Sequence, residues 1–423
     1  MNLPRSVHMI GIGGIGMSAL AQLLQARGVR VSGSDREASP TTALLGEKGI
    51  GVSIGHDGCL IQADAELVVY SDAIPTDNPE RVRAREMGVP EKSYFALLGE
   101  VSRGATTVAI TGTHGKTTVT GMTAKILADI GEQPTAIIGS IVRDFGSNFL
   151  EGREDLFVVE ACEYRDHVLE LSPRVLVLTN VELDHTDFFP SLAAIQETFR
   201  KAIAAVPADG AIVTNPQDQN IVPLLSAARA RIVDYTQVAI GSLLLPGDFN
   251  RDNARAALAA AQAVVPSMSF EEGARSLSSF HGSWRRFEYK GKTPVGAIVY
   301  DDYAHHPTAV HKTIAAARER FPGQRIVVAF HPHLHSRTES FLQEFADALD
   351  TADRAIVAPI YEARTEAVHT VSNHTLAEAG QHIEAMDSFD AIRDALLAEP
   401  AGTIIITMGA GDIYKVAEEI TNQ

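Results

Sequence analysis

The apolar positions of this chain recur as short unbroken runs, each followed by a segment with helical spacing. Residues 7–10, 29–32, 67–70, 106–110, 134–138, 156–160, 175–180, 297–300, 325–330, 355–358 and 403–407 read as strands. Residues 17–26, 119–130, 254–265 and 308–320 repeat their apolar residues at the 3.6 period of a helix. The strands are apolar along their length rather than alternating, so both faces need cover. That predicts α/β architecture, with mostly parallel sheets between layers of helices. At 423 residues the chain is long enough for about three domains of ~150 residues. The runs divide it at 1–103, 104–283 and 284–423, while residues 139–148, rich in Gly, Ser and Asn, read as a loop.

Where a strand gives way to a helix, glycines cluster. The most specific instance is TGTHGKTT, from Thr111 to Thr118. Backbone N–H groups at such a helix start point at an anion, and the helix dipole favours negative charge. Gly112, Thr113, His114, Gly115, Lys116, Thr117 and Thr118 therefore form a candidate phosphate loop. Lys116 would neutralise terminal phosphates and Thr117 would offer a hydroxyl to Mg²⁺. The common form of this motif has glycine where this chain has Ile110. A second loop, Gly11, Gly13, Gly14 and Gly16, fits G-x-G-x-x-G, and Asp35 closes the next strand where a ribose is often held. A third, Met408-Gly-Ala-Gly-Asp412, precedes the last helix.

Parallel sheets collect ligands at the carboxyl ends of their strands. Gly112, Glu160 and His185 all fall at such ends, and Glu160 with His185 could hold Mg²⁺ beside Thr117. Asn250 sits where a helix cap would be useful, and Asn253 one turn on could read a base edge. His331, His333 and His335 alternate, so an extended chain would set them on one side, a metal or hydrogen-bonding cluster at a strand end.

The formal charge of −17 argues against a nucleic-acid or membrane-surface partner, either of which would need a basic face. Two cysteines, Cys59 and Cys162, imply no disulfide framework, and neither a secretory leader nor an 18-residue apolar span is visible. A cytoplasmic protein, monomer or homodimer, is expected. The first glycine loop by itself would suit an NAD-linked oxidoreductase, but a second phosphate loop makes that reading less economical.

In order along the chain, GIGGIGMSALA, TGTHGKTT, TNVELDH, Phe249-Asn-x-x-Asn253, Arg285-Arg286-Phe287, DDYAHHPT, HSRT and MGAGD resemble the motifs of the Mur ligases of peptidoglycan synthesis. The resemblance spans nearly the whole chain. It implies a Rossmann-like UDP-binding domain, a central P-loop ATPase domain and a C-terminal Rossmann-like domain. The implied reaction is an ATP- and Mg²⁺-dependent amide bond between UDP-N-acetylmuramate and an amino acid, with L-alanine the nearest match. A ligase that joins a ready-made murein tripeptide to the same sugar nucleotide is the alternative.

By the same resemblance, Thr117, Glu160 and His185 hold the metal. Lys116, Glu160, His185, His333 and Arg337 carry the chemistry and the amino acid. Asn253, Arg286 and Asp302 face the nucleotide. Gly11, Gly13, Gly14, Gly16, Asp35, Ser71 and His305 take the UDP-sugar. Some positions depart from the pattern. Cys162 stands where an aspartate is common, Leu334 where an arginine is common and Phe249 where a histidine is common. The stretch 234–247 is short, and Lys201 lies near the place of a carbamylated lysine in other members, though it reads as an exposed helix lysine.

Overall fold

A computed structural model describes residues 3–362 and 370–421. Three sheets follow one another along the chain. The first holds β1 (Ser6–Ile10), β2 (Arg30–Asp35), β3 (Gly51–Ile54), β4 (Leu67–Tyr70) and β5 (Glu91–Ser93), all parallel, in the order β3-β2-β1-β4-β5. The second holds β6 (Thr106–Thr111), β7 (Pro134–Val142), β8 (Ser147–Leu150), β9 (Arg153–Glu160), β10 (Val175–Leu178), β11 (Ala211–Thr214) and β12 (Arg231–Asp234). Its order is β12-β11-β10-β6-β9-β7-β8, and only β8 runs antiparallel. The third holds β13 (Glu288–Lys292), β14 (Ile298–Asp302), β15 (Ile326–Phe330), β16 (Arg354–Val357), β17 (Ile383–Ala385) and β18 (Ile404–Met408). Its order is β13-β14-β18-β15-β16-β17, antiparallel only at β13.

The unbroken apolar runs are explained by burial on both faces. In β6 and β10, Val108, Ile110, Val175 and Val177 pack into the core on one side. Their neighbours Ala109, Leu176 and Leu178 enter the core on the other, which is continuous with that of the first sheet. The third sheet repeats the device, with Ile326, Val328 and Phe330 on one face and Val327 and Ala329 on the other. The alanine-rich helix Asp248–Val264 buries its small side chains against the glycine-loop helix Lys116–Asp129.

Two expectations about elements need correction. Residues 139–148 are not a loop: β7 continues to Val142 and turns back through β8. That hairpin docks on the first domain, where Asn148 Nδ2 donates to the carbonyl of Ile15 (2.5 Å) and to Ser18 Oγ (2.9 Å). Asn250 is not a cap either, because the helix starts at Asp248 with Gly247 at its N-cap, φ 93°. Asn250 is buried in the first turn. No helix among the described residues is long and apolar enough to cross a membrane.

Candidate active site

The loop after β6 is closed against the sheet by glycine geometry. Gly112 has φ +120°, and a Cβ there would lie 2.2 Å from Thr179 Oγ1 and 2.9 Å from the carbonyl oxygen of Asn180. Gly115, φ +86°, is the N-cap of Lys116–Asp129, and no side chain caps that helix start. Its first-turn N–H groups are thus available to an anion. Gly112→Ala should lower stability by about 2–4 kcal/mol, the sum of a left-handed backbone and a backbone clash. Urea unfolding of the purified variant checks this, and a change below half a kcal/mol would contradict it.

Lys116 turns inward. Its Nζ donates to the carbonyls of Gly112 (2.5 Å) and Thr113 (3.1 Å) and to Glu163, 3.0 and 3.1 Å from the two carboxylate oxygens. Burial works against the lysine's charge, but the Glu163 carboxylate, with Glu160 behind it, outweighs it and holds its pKa above the ordinary value. Glu163 is fully buried. Burial would raise its pKa, yet Lys116 and His185 hold it below the usual carboxylate range. His185, at φ 51°, sets Nε2 3.6 Å from the same carboxylate. Sequence reasoning missed Glu163. The only signal was a second acidic residue three positions after Glu160, just beyond the end of β9.

Thr117 Oγ1 donates to Glu160 Oε1 at 3.2 Å, and Glu160 Oε2 accepts the N–H of Gly139 at 2.8 Å. From the third domain, Arg286 Nη2 donates to Thr117 Oγ1 at 3.2 Å. Asn253 packs on Gly115, where an added Cβ would meet its Oδ1 at 2.3 Å. These groups line a cavity of about 500 Å³ that also includes Phe249 and His305. Asp302 lines it too, but accepts the N–H groups of Phe287 (2.7 Å) and Ala304 (2.8 Å), and burial raises its pKa against the pull of Arg286. Burial pushes the Cys162 thiol up to about 12, so it stays protonated. Lys201 lies half-exposed on the helix Leu192–Ala205, 3.9 Å from Glu197.

Arg337 is buried and reaches across to the central domain. Its Nε and Nη2 donate to Asp184 Oδ1 at 3.0 and 2.5 Å, and its Nη1 lies 3.1 Å from His333 Nδ1. Burial would raise the Asp184 pKa, but the Arg337 guanidinium holds it well below the usual range.

The three alternating histidines do not share a side, because the chain leaves β15 at Phe330 and begins a new helix at His335. His333 faces Arg337, His335 Nδ1 lies 3.1 Å from the carbonyl of Val371, and His331 is buried against the third glycine loop. Leu334 is buried at φ 69° and forms the N-cap of that new helix. Arg285 is a structural clamp: it donates to Asp301 (2.8 Å) and to the carbonyls of Gly409 (2.6 Å) and Gly411 (2.9 Å).

Burial holds His331 and His306 down to about 4. The folded chain therefore resists protons that the unfolded chain accepts below about 6.5. Stability is complete above that pH and falls as pH drops from about 6.5 toward about 4, by up to about 1.4 kcal/mol per pH unit for each histidine. His331→Gln should flatten the slope measured by urea unfolding across this window; an unchanged slope would show that His331 does not contribute.

In the first domain, the N–H groups of Gly11 and Ile12 donate to the carbonyl of Ser34 at 2.8 and 3.0 Å. Ser34 Oγ in turn donates to the buried Glu80 at 2.7 Å, which also meets His8 Nε2 at 2.6 Å and His56 Nδ1 at 2.7 Å. This network beneath the loop was not read from the sequence. Asp35 accepts the N–H of Gly13 at 2.8 Å, and the helix after the loop has no side-chain cap at Gly14. Gly16 lies against Tyr94, and Ser71 against Gly11.

Three family profiles account for the chain in the order of its sheets. They are the Mur ligase family, catalytic domain, at residues 6–106, the Mur ligase middle domain at 110–240, and the Mur ligase, glutamate ligase domain, at 285–411. A UDP-N-acetylmuramate–L-alanine ligase of Clostridium novyi is 37% identical over 98% of this chain and 96% of its own length. The chain belongs to the Mur ligase family. A ligase of the same name from Salinibacter ruber is also 37% identical, over 98% of this Mur ligase and 94% of its own length. Among solved structures, the UDP-N-acetylmuramate–alanine ligase of Thermotoga maritima superposes with a TM-score of 0.82 at 27% identity, covering 99% of this chain and 98% of that one. A murein peptide ligase of Psychrobacter arcticus shares the fold with a TM-score of 0.74 at 24% identity, covering 99% and 98%.

Proposed function

We propose that this Mur ligase uses ATP to join L-alanine to the lactyl carboxylate of UDP-N-acetylmuramate, a step of peptidoglycan precursor synthesis. The observation that carries the reading is 37% identity over 98% of the chain to a UDP-N-acetylmuramate–L-alanine ligase, together with the phosphate loop around Lys116. The carboxylate attacks the γ-phosphorus of ATP, the bond to the β-phosphate oxygen breaks, and ADP leaves. The amine nitrogen then attacks the acyl-phosphate carbonyl, the C–O bond to phosphate breaks, and a proton leaves the nitrogen.

Lys116 and the helix-start N–H groups neutralise the transferring phosphoryl group. Arg286, hydrogen-bonded to Thr117 from the third domain, adds a further cation, and closure of that domain excludes water from the acyl phosphate. Asn253 and Phe249 flank the base, and His333 with Arg337 lie toward the amino acid. The UDP end occupies the Gly11 to Gly16 loop, beside Asp35 and Ser71, whereas His305 lines the cavity around Lys116 and Arg286 rather than that loop. Thr117 and Glu160 fit Mg²⁺, because their adjacent hydroxyl and carboxylate are hard oxygen donors, with His185 on the Glu163 side. When bound, the ion neutralises charge on the phosphates.

Offering L-alanine, glycine, L-serine and a murein tripeptide to the enzyme with ATP and UDP-N-acetylmuramate tests the amine. L-alanine should give the highest kcat/KM; preference for the tripeptide would move the chain to peptide recycling.

A further inference from the structure

One cluster on the lining of the cavity joins a phosphate-loop histidine to two residues given no role so far. His114, Glu182 and His306 bring one ligand atom each to within 4.8 Å of one another. They come from the phosphate loop, from the segment after β10 and from the third domain. His114 Nε2 lies 3.3 Å from Glu182 Oε2, and His306 Nδ1 lies 3.9 Å from the same oxygen. Zinc bonds of about 2.0–2.2 Å in a tetrahedron put neighbouring ligand atoms about 3.3–3.5 Å apart. The cluster is within a few tenths of an ångström of that spacing at two of its edges. Two imidazoles and one carboxylate suit a borderline-soft transition ion rather than the oxygen-seeking Mg²⁺.

The surroundings aim these atoms as a metal site requires. His306 Nε2 lies 3.1 Å from the carbonyl of Leu183, so that nitrogen carries the proton. Nδ1 is then the acceptor nitrogen; it takes the N–H of Thr308 at 3.3 Å as the cap of the helix Pro307–Arg320, and an ion would take that lone pair in place of the cap. Thr308 Oγ1 donates to Glu182 Oε2 at 2.6 Å and orients the carboxylate. Such outer bonds fix the tautomer and ring of a ligating histidine. The backbone of His114 is held as well: its N–H donates to Asn180 Oδ1 at 2.9 Å and its carbonyl accepts from Thr179 Oγ1 at 2.7 Å. Glu182 keeps 30% of its side chain exposed, which leaves a path for an ion and an open coordination position for water.

We infer that His114, Glu182 and His306 form a site for one zinc-class divalent ion, separate from the magnesium position at Thr117 and Glu160. The bound ion ties the third domain to the phosphate loop of the central domain.

The test uses the full chain, stripped of metal and held in saturating Mg²⁺ so that oxygen-donor sites are filled. Co²⁺ is titrated by its visible d–d absorption, and Zn²⁺ by its displacement of Co²⁺. One equivalent should bind, and Glu182→Gln and His306→Ala should each weaken it by about a hundredfold or more, whereas Glu160→Gln should leave it unchanged. His306→Cys should retain the ion and add a thiolate-to-Co²⁺ charge-transfer band that the parent chain lacks. That gain of signal keeps the test independent of any loss of folding in the other variants. Absence of tight binding under Mg²⁺, full binding in both Glu182→Gln and His306→Ala, or Co²⁺ bound to His306→Cys without the new band would overturn the assignment.

Discussion

Lys116→Ala is expected to lower kcat by about 10³-fold, roughly 4 kcal/mol of transition-state stabilisation, since one positioned cation on a transferring phosphoryl group is worth that much. A second loss comes with it. The lysine is also the partner of Glu163, and removing it strands a buried carboxylate. Breaking such a pair from one side costs about 3–5 kcal/mol of stability, more than the pair contributes relative to an apolar replacement. The two effects separate in the double variant Lys116→Met with Glu163→Gln. It should recover most of the stability in urea unfolding and none of the turnover in a phosphate-release assay. Full turnover in Lys116→Ala, or recovered turnover in the double variant, would remove Lys116 from the role given to it.

Arg337→Ala should lower kcat/KM for L-alanine by about a hundredfold, close to 3 kcal/mol, because both members of the Arg337–Asp184 pair are buried and lie on different domains. The variants distinguish a clamp from an amino-acid contact. If the pair holds the domains together, Asp184→Asn should cost nearly as much as Arg337→Ala, and the two changes should be strongly non-additive. If Arg337 serves the amino acid alone, Asp184→Asn should be mild and additive. Steady-state kinetics on the four proteins of this double-mutant cycle measure the coupling directly, and a coupling near zero would sink the clamp. Arg337→Lys should fall between, since an ammonium keeps the charge but loses the fork.

What the chain discloses before folding is what its local chemistry dictates. Apolar runs marked most of the central strands, and glycines before helices marked the loops that bind phosphates. Parallel pairing did the next step. In register, Ile110 of β6 stands beside Glu160 of β9, so a carboxylate at a strand end lands at the glycine loop. Glu160 was legible for that reason. Glu163 was not, because its role depends on how far Lys116 folds back. Arg337 and Asp184 are 153 residues apart, and nothing local pairs them. The hairpin at β7 and β8 was hidden by a loop-like composition, whose Ser147 and Asn148 are buried by docking on the first domain. The alternation of His331, His333 and His335 misled because it presumes an extended chain, and the strand ends one residue before the first of them.

The central claim is that Lys116 and its loop activate a carboxylate by phosphorylating it. UDP-N-acetylmuramate carrying ¹⁸O in the lactyl carboxylate tests this most directly, with the phosphate released from ATP in the presence of L-alanine analysed by mass spectrometry. One ¹⁸O atom per phosphate is the predicted result, since the carboxylate oxygen that attacks phosphorus departs with it. Phosphate without the label would mean that water attacks ATP, and would contradict the mechanism.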